Sequence, residues 1–153
     1  MGRAIVVANQ KGGVGKTTTA INLAACLAEA GQKVLAIDMD PQGNMTSGLG
    51  VDKDAIENSV YELLLGEAEV EDCVQKEVIE NLSVIGSNIN LSAAEIELIG
   101  QDEKEYILQK AITPIRDQYD FVIIDCPPSL SMLTINSMCL ADTVLVPIQC
   151  EYY

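Results

Sequence analysis

Hydrophobic positions along this chain fall into short unbroken runs that alternate with stretches of helical spacing. Residues 4–8 form an apolar run of strand length, consistent with a strand buried on both faces. Ala20, Leu23, Ala24, Leu27 and Ala28 then recur at helical spacing, and Gly31 supplies a stop. Residues 33–38 read as a second buried strand ending in an acid. Residues 40–50, rich in Gly, Asn, Pro and Ser, read as a loop. Residues 60–65 and 70–78 have the pattern of short helices with an acidic outer face, and 82–85 of a third, weaker strand. Ser92-Ala93-Ala94-Glu95 is a capping-box pattern that predicts a helix ending by Gly100. A helix over 104–116 is disturbed near Pro114. Residues 119–125 make the strongest strand, 130–140 a helix and 143–148 a fifth strand. Strands alternating with helices predict an α/β fold with a parallel sheet, helices on both faces and right-handed crossovers.

Composition narrows the setting. A chain of 153 residues is long enough for one domain with a real core. Aromatics are only 4%, so the core must rest on Ile, Leu, Val and Ala. The net charge of −14 argues against a general affinity for nucleic acid, which needs clustered Lys and Arg. With no histidine and no Cys-x-x-Cys pair, the usual Cys/His zinc sites are excluded. The five cysteines are odd in number and widely spaced, which fits reduced thiols in a cytosolic protein. No run approaches a membrane span, and 4–8 is too short for a signal peptide's apolar core. These features predict a soluble, cytoplasmic protein.

The densest chemistry lies between the first strand and first helix, where residues 11–18 read Lys-Gly-Gly-Val-Gly-Lys-Thr-Thr. Glycine N–H groups opening a helix make a nest for a phosphate chain. Gly12, Gly13 and Gly15 lack the Cβ that would block close approach. Val14 and Thr18 complete the candidate nucleotide-binding loop. Lys16 would reach the β- and γ-phosphates, and the Thr17 hydroxyl would take a place on Mg²⁺. The common phosphate-loop pattern asks for Gly where this chain has Gln10, so the standard motif is not strictly matched. A glycine turn between strand and helix is the plainer alternative. Asp38 and Asp40 follow the second strand on the sheet edge that carries the loop. One could hold a magnesium-bound water and the other orient the attacking water; alternatively both stabilise the loop beside Pro41 and Gly43. Asp125, after four apolar residues, fits an acid that supports Mg²⁺, or a strand-end cap. Lys11 is either a solvated lysine or a cation for phosphates, in its own subunit or across a dimer.

Three segments together are specific. Asn9-Gln10-Lys11-Gly12-Gly13-Val14-Gly15-Lys16-Thr17-Thr18, Asp38-x-Asp40-Pro41-Gln42-Gly43-Asn44 and Asp125-Cys126-Pro127-Pro128-Ser129 resemble the ParA/Soj partition ATPases. That family carries a deviant loop beginning with a signature lysine, which accounts for Gln10. The resemblance runs the whole length and implies a P-loop NTPase of the SIMIBI type, using ATP and Mg²⁺. It implies that Lys11 contacts the nucleotide of the opposite subunit in an ATP-sandwich homodimer. Asp40 matches the hydrolytic acid and Asp125 the magnesium-supporting acid. Gly43 and Pro127–Pro128 match two segments that sense the γ-phosphate. A ParB-like centromere-binding partner, nonspecific DNA binding through a later basic region, and association with the bacterial nucleoid are implied for the intact protein. Family members run well beyond residue 153. Residues 1–153 are therefore expected to be the N-terminal part of a longer nucleotide-binding domain lacking its C-terminal strands.

Other function classes are distinguishable. A MinD-like cell-division-site ATPase would carry a C-terminal membrane helix, but Gln42-Gly43-Asn44 and Cys126-Pro127-Pro128-Ser129 favour partition. A biosynthetic ligase would use a similar loop to activate a carboxylate, and an inert nucleotide-binding fragment would show no turnover. Nitrogenase-type iron proteins share the lysine-glycine loop, but no matching cysteine pair accompanies Cys126.

Overall fold

Residues 2–8 and 15–147 are described by the computed structural model. Their strands are β1 (Arg3–Val7), β2 (Val34–Asp38), β3 (Val74–Ile79), β4 (Leu82–Ile85), β5 (Phe121–Asp125) and β6 (Thr143–Leu145). The helices are α1 (Lys16–Glu29), α2 (Asn44–Gly48), α3 (Val60–Leu64), α4 (Val70–Cys73), α5 (Ala94–Glu97), α6 (Ile107–Arg116) and α7 (Met132–Leu140). Among the described residues the sheet order is β3-β4-β2-β5-β1-β6, and every neighbouring pair except β3–β4 is parallel.

Alternation within the strands divides the core in two. Val34, Ala36, Leu82, Val84 and Ile123 face one way, against Ala20, Ala24 and Ala28 of α1. Those alanines recur every fourth residue and let the helix lie close to the sheet. Leu35, Ile37, Val122 and Ile124 face the other way, into a larger core that includes residues of α3 to α7. Both faces are covered, as expected from the runs of apolar residues. The 119–125 strand forms as β5 at the sheet centre, pairing with β1 on one side and β2 on the other.

Several expectations are corrected. The helix over 70–78 stops at Cys73, and Val74–Ile79 is instead an antiparallel edge strand. Its register shifts between Gln75 and Ile79, where Glu77 adopts a φ of 46° and donates its N–H to Ser83 Oγ. The sheet is consequently mixed rather than wholly parallel. Residues 40–50 contain a short helix, α2, because the Asp38 carboxylate accepts from Thr46 in its first turn. The Ser92–Glu95 capping box does not form. Asn88 caps a 3₁₀ turn over Ile89–Ala93 that runs directly into α5, leaving the Glu95 carboxylate for other partners. A capping box does occur at Ser59 and Glu62, at the start of α3. Pro114 is accommodated in the last turns of α6. Arg116 on that helix is buried, donating to the Gly2 carbonyl and to Asp142, which ties α6 to both ends of the described chain.

Candidate functional site

The carboxyl ends of β2 and β5 lie side by side, with Asp38 opposite Asp125 in register. Parallel pairing thus brings two acids distant in sequence to the same edge as the start of α1. Gly15 precedes that helix with a φ of 76°, a conformation suited to glycine, and no side chain caps the first turn. The positive end of the α1 dipole and the Lys16 charge therefore point the same way. Lys11, Gly12, Gly13 and Val14 lie outside the described residues.

Lys16 and Asp125 form a buried ion pair through Nζ and Oδ1. The Thr17 hydroxyl donates to the other carboxylate oxygen, Oδ2, at 3.0 Å. Lys16, Thr17 and Asp125 thus form one cluster, in which Lys16 and Thr17 line a cleft of about 660 Å³ and Asp125 lies buried behind them. Gly15 and Thr18 also line that cleft, together with Asp40, Gln42 and Asn44 on one side and Pro128 on another. Burial raises the Asp125 pKa, and the neighbouring Lys16 charge opposes that shift only in part.

Asp38 is fully buried, and both its oxygens are engaged. Oδ1 accepts from the Asp40 N–H at 3.1 Å; Oδ2 accepts from Thr46 N at 2.9 Å and Thr46 Oγ1 at 2.6 Å. Burial pushes its pKa up to about 7, against the Thr46 hydrogen bonds and with help from the Asp125 charge. Asp38 is not among the cleft-lining residues, whereas Asp40, two residues later, is. The Asp40 carboxylate accepts from Gln42 N at 3.0 Å, closing a tight Asx turn.

Three residues outside the candidate-site motifs also hold this site. Thr46 Oγ1 donates to Asp38 and accepts from the Ser87 N–H at 3.0 Å. Ser87 Oγ, buried at the end of β4, donates to the Asp40 carbonyl at 2.6 Å. Glu95 accepts from Met132 N at 2.9 Å and from Leu133 N at 3.4 Å, at the start of α7. Only Glu95 stood in a recognisable pattern, and that pattern pointed to a local cap.

The donors suit a hard cation carried by a phosphate chain. Thr17, Asp40 and Asp125 offer oxygen only, as Mg²⁺ prefers. Among the described residues no group of three or more acids, cysteines or histidines is arranged to hold a metal by itself. Mg²⁺ usually completes its shell with water and substrate phosphate, so this sparse oxygen set fits it.

A family model described as an AAA domain matches residues 2–153. The chain is 52% identical over its whole length to the sporulation initiation inhibitor protein Soj of Bacillus subtilis, and 50% identical to the chromosome partitioning protein ParA of Myxococcus xanthus. It spans 60% of the first and 54% of the second. Among solved structures it is similar to cobyrinic acid a,c-diamide synthase from Mycobacterium smegmatis with bound ADP and magnesium. That match has a TM-score of 0.95 at 45% identity and covers 99% of this chain and 61% of the other. The chain therefore belongs to the AAA-domain family, and within it resembles the ParA and Soj partition proteins along its full length.

Proposed function

We propose that this chain is the nucleotide-binding part of an ATP-driven switch for chromosome or plasmid partition. The Lys16–Asp125–Thr17 cluster at the start of α1 carries this reading. A cation, a hydroxyl and a carboxylate gathered at a helix N-terminus support a site for a triphosphate and its metal. Lys16 supplies charge to the β- and γ-phosphates, Thr17 and Asp125 support Mg²⁺, and residues 11–15 with Thr18 complete the cradle. Bound Mg²⁺ would offset phosphate charge and order the triphosphate for attack by water. Asp40, which lines the cleft and is fixed by its turn, orients that water. Asp38, already engaged by Thr46 and Asp40, shapes the loop and supports the metal at most through water. Lys11 reaches the nucleotide of a second subunit, so that ATP joins two copies, and a ParB-like partner stimulates hydrolysis and release. DNA contact and nucleoid association belong to regions of the intact protein outside these residues.

The partition name of the Myxococcus xanthus relative supports this assignment over a ligase. No helix among the described residues is long and apolar enough to cross a membrane. Calorimetry and phosphate release on the intact protein test the proposal. Asp40→Ala should retain ATP binding, accumulate an ATP-bound dimer in light scattering, and lose at least about tenfold in turnover. Lys11→Ala should bind ATP yet stay monomeric. Turnover that requires a small carboxylic acid and yields a ligated product would instead establish the ligase.

A further inference from the structure

The two walls of the cleft are gripped by one segment that belongs to neither. Ser87, where that segment leaves β4, donates Oγ to the Asp40 carbonyl at 2.6 Å, and its N–H donates to Thr46 Oγ1 at 3.0 Å. Both contacts pin the wall that carries Asp40. Eight residues on, Glu95 accepts from Met132 N and Leu133 N, and so fixes the start of α7. Ser131 completes that helix end by accepting from Thr134 N. The stretch between Asp125 and α7, which carries Pro128 into the cleft, is therefore tethered at both ends.

The intervening residues are not slack. Asn88 caps the 3₁₀ turn through its side chain, Leu91 and Ala94 are completely buried, and the turn passes into α5 without a break. Pro41 and Pro127, one from each wall, face Ser92 and Glu95 across a shared hollow. A short rod with buried anchors and a hydrogen-bonded grip at each end transmits displacement, because packed elements shift as units.

We propose that residues 87–95 act as a strap that couples the Asp40 wall to the Pro127–Pro128 wall, with Ser87 and Glu95 as its positioning residues. The inference rests on the proposed ATP hydrolysis: neither side chain lines the cleft, and each fixes a segment next to one that does. Glu95→Gln keeps the shape and one acceptor but turns an amide N–H₂ toward a helix N–H. Ser87→Ala removes the hold on the Asp40 carbonyl.

The test is a double-mutant cycle in the intact protein. Each single variant should lower kcat about tenfold while KM for ATP stays within about twofold, since misplaced groups cost rate before affinity. The double variant should be no more than about twofold slower than either single, because one strap fails once. Multiplicative losses, or an unchanged kcat in either single variant, would overturn the coupling. Hydrogen exchange gives a readout independent of turnover. Glu95→Gln should speed amide exchange in residues 40–46, which Glu95 does not touch, and Glu95→Asp should partly restore protection. Faster exchange confined to residues 130–134 would reduce Glu95 to a local helix cap. Wild-type protein that binds ATP without hydrolysing it would instead overturn the enzymatic reading beneath the proposal.

Discussion

Lys16 and Asp125 share a setting in which each needs the other. Lys16 is 8% exposed and Asp125 is fully buried, so removing the cation strands a carboxylate in a poor solvent for charge. Lys16→Gln should abolish measurable ATP binding in calorimetry. It should also destabilise the protein by about 3 kcal/mol in urea unfolding, a cost that Asp125→Asn largely relieves in the double variant. Asp38 makes a different prediction. Its folded-state pKa of about 7 lies above the ordinary 3.8, so between those values the folded protein keeps a proton that the unfolded chain releases. Its stabilising contribution is complete below 3.8 and is lost as pH rises through about 7. Asp125 shifts in the same direction. Unfolding free energy should therefore fall as pH rises from about 3.8 to about 7, and the fall should shrink in Asp38→Asn. An equal pH slope in the variant would show that Asp38 is not the titrating group.

At the scale of elements, the loop from Asp40 to α2 turns on Gly43. Its φ is 66°, and a Cβ there would meet Lys53 Cδ at 3.0 Å and the Ser87 carbonyl at 3.1 Å. Gly43→Ala should cost about 1–2 kcal/mol through strain. It should reduce turnover more than ATP affinity, because the loop that moves carries Asp40. Comparing phosphate release with calorimetric affinity on one preparation checks the split. This loop also shows what sequence could and could not disclose. The central strands were legible because burial on both faces leaves unbroken apolar runs, as in Phe121–Asp125. The proposed phosphate loop stands out in the sequence because charge, hydroxyl and glycine are adjacent in the chain. Val70, Cys73, Val74 and Val78, by contrast, recur at helical spacing, yet pairing with β4 draws Val74–Ile79 into the sheet. Local periodicity carried the helical pattern, and a tertiary partner overrode it. Glu95 stood in a capping-box pattern, but its N–H partner is 37 residues away. Ser87 and Asp40 likewise have no spacing to reveal them, because the pairing of β2 with β4 brings them together, and Thr46 meets Asp38 only because the intervening loop folds back.

At the scale of the whole molecule, the β6 side is an exposed apolar flank among the described residues. Leu130 is 86% exposed, Val144 49% and Val146 52%, beside a groove of about 480 Å³ that includes Cys126, Pro127 and Met138. Edge strands with uncovered apolar side chains associate. The 153-residue chain expressed alone should self-associate in light scattering, bind ATP weakly and release phosphate negligibly. Leu130→Glu with Val146→Glu should raise its solubility, and a monodisperse wild-type monomer would refute the expectation. The same topology has a consequence for how the protein is made. β1 is synthesised before the other five described strands, yet it lies between β5 and β6, and Ala4 N bonds Asp142 across 138 positions of sequence. At ordinary rates of translation, on the order of ten seconds separate those two residues at the ribosome. Over that interval β2 and β4 can pair, but the strand leading into the phosphate loop has no neighbour, and its apolar side chains are open to any chaperone present. A translational pause before β5 and β6 have both left the ribosome would prolong that exposure, so the position of slow codons along the message bears directly on the yield of folded protein.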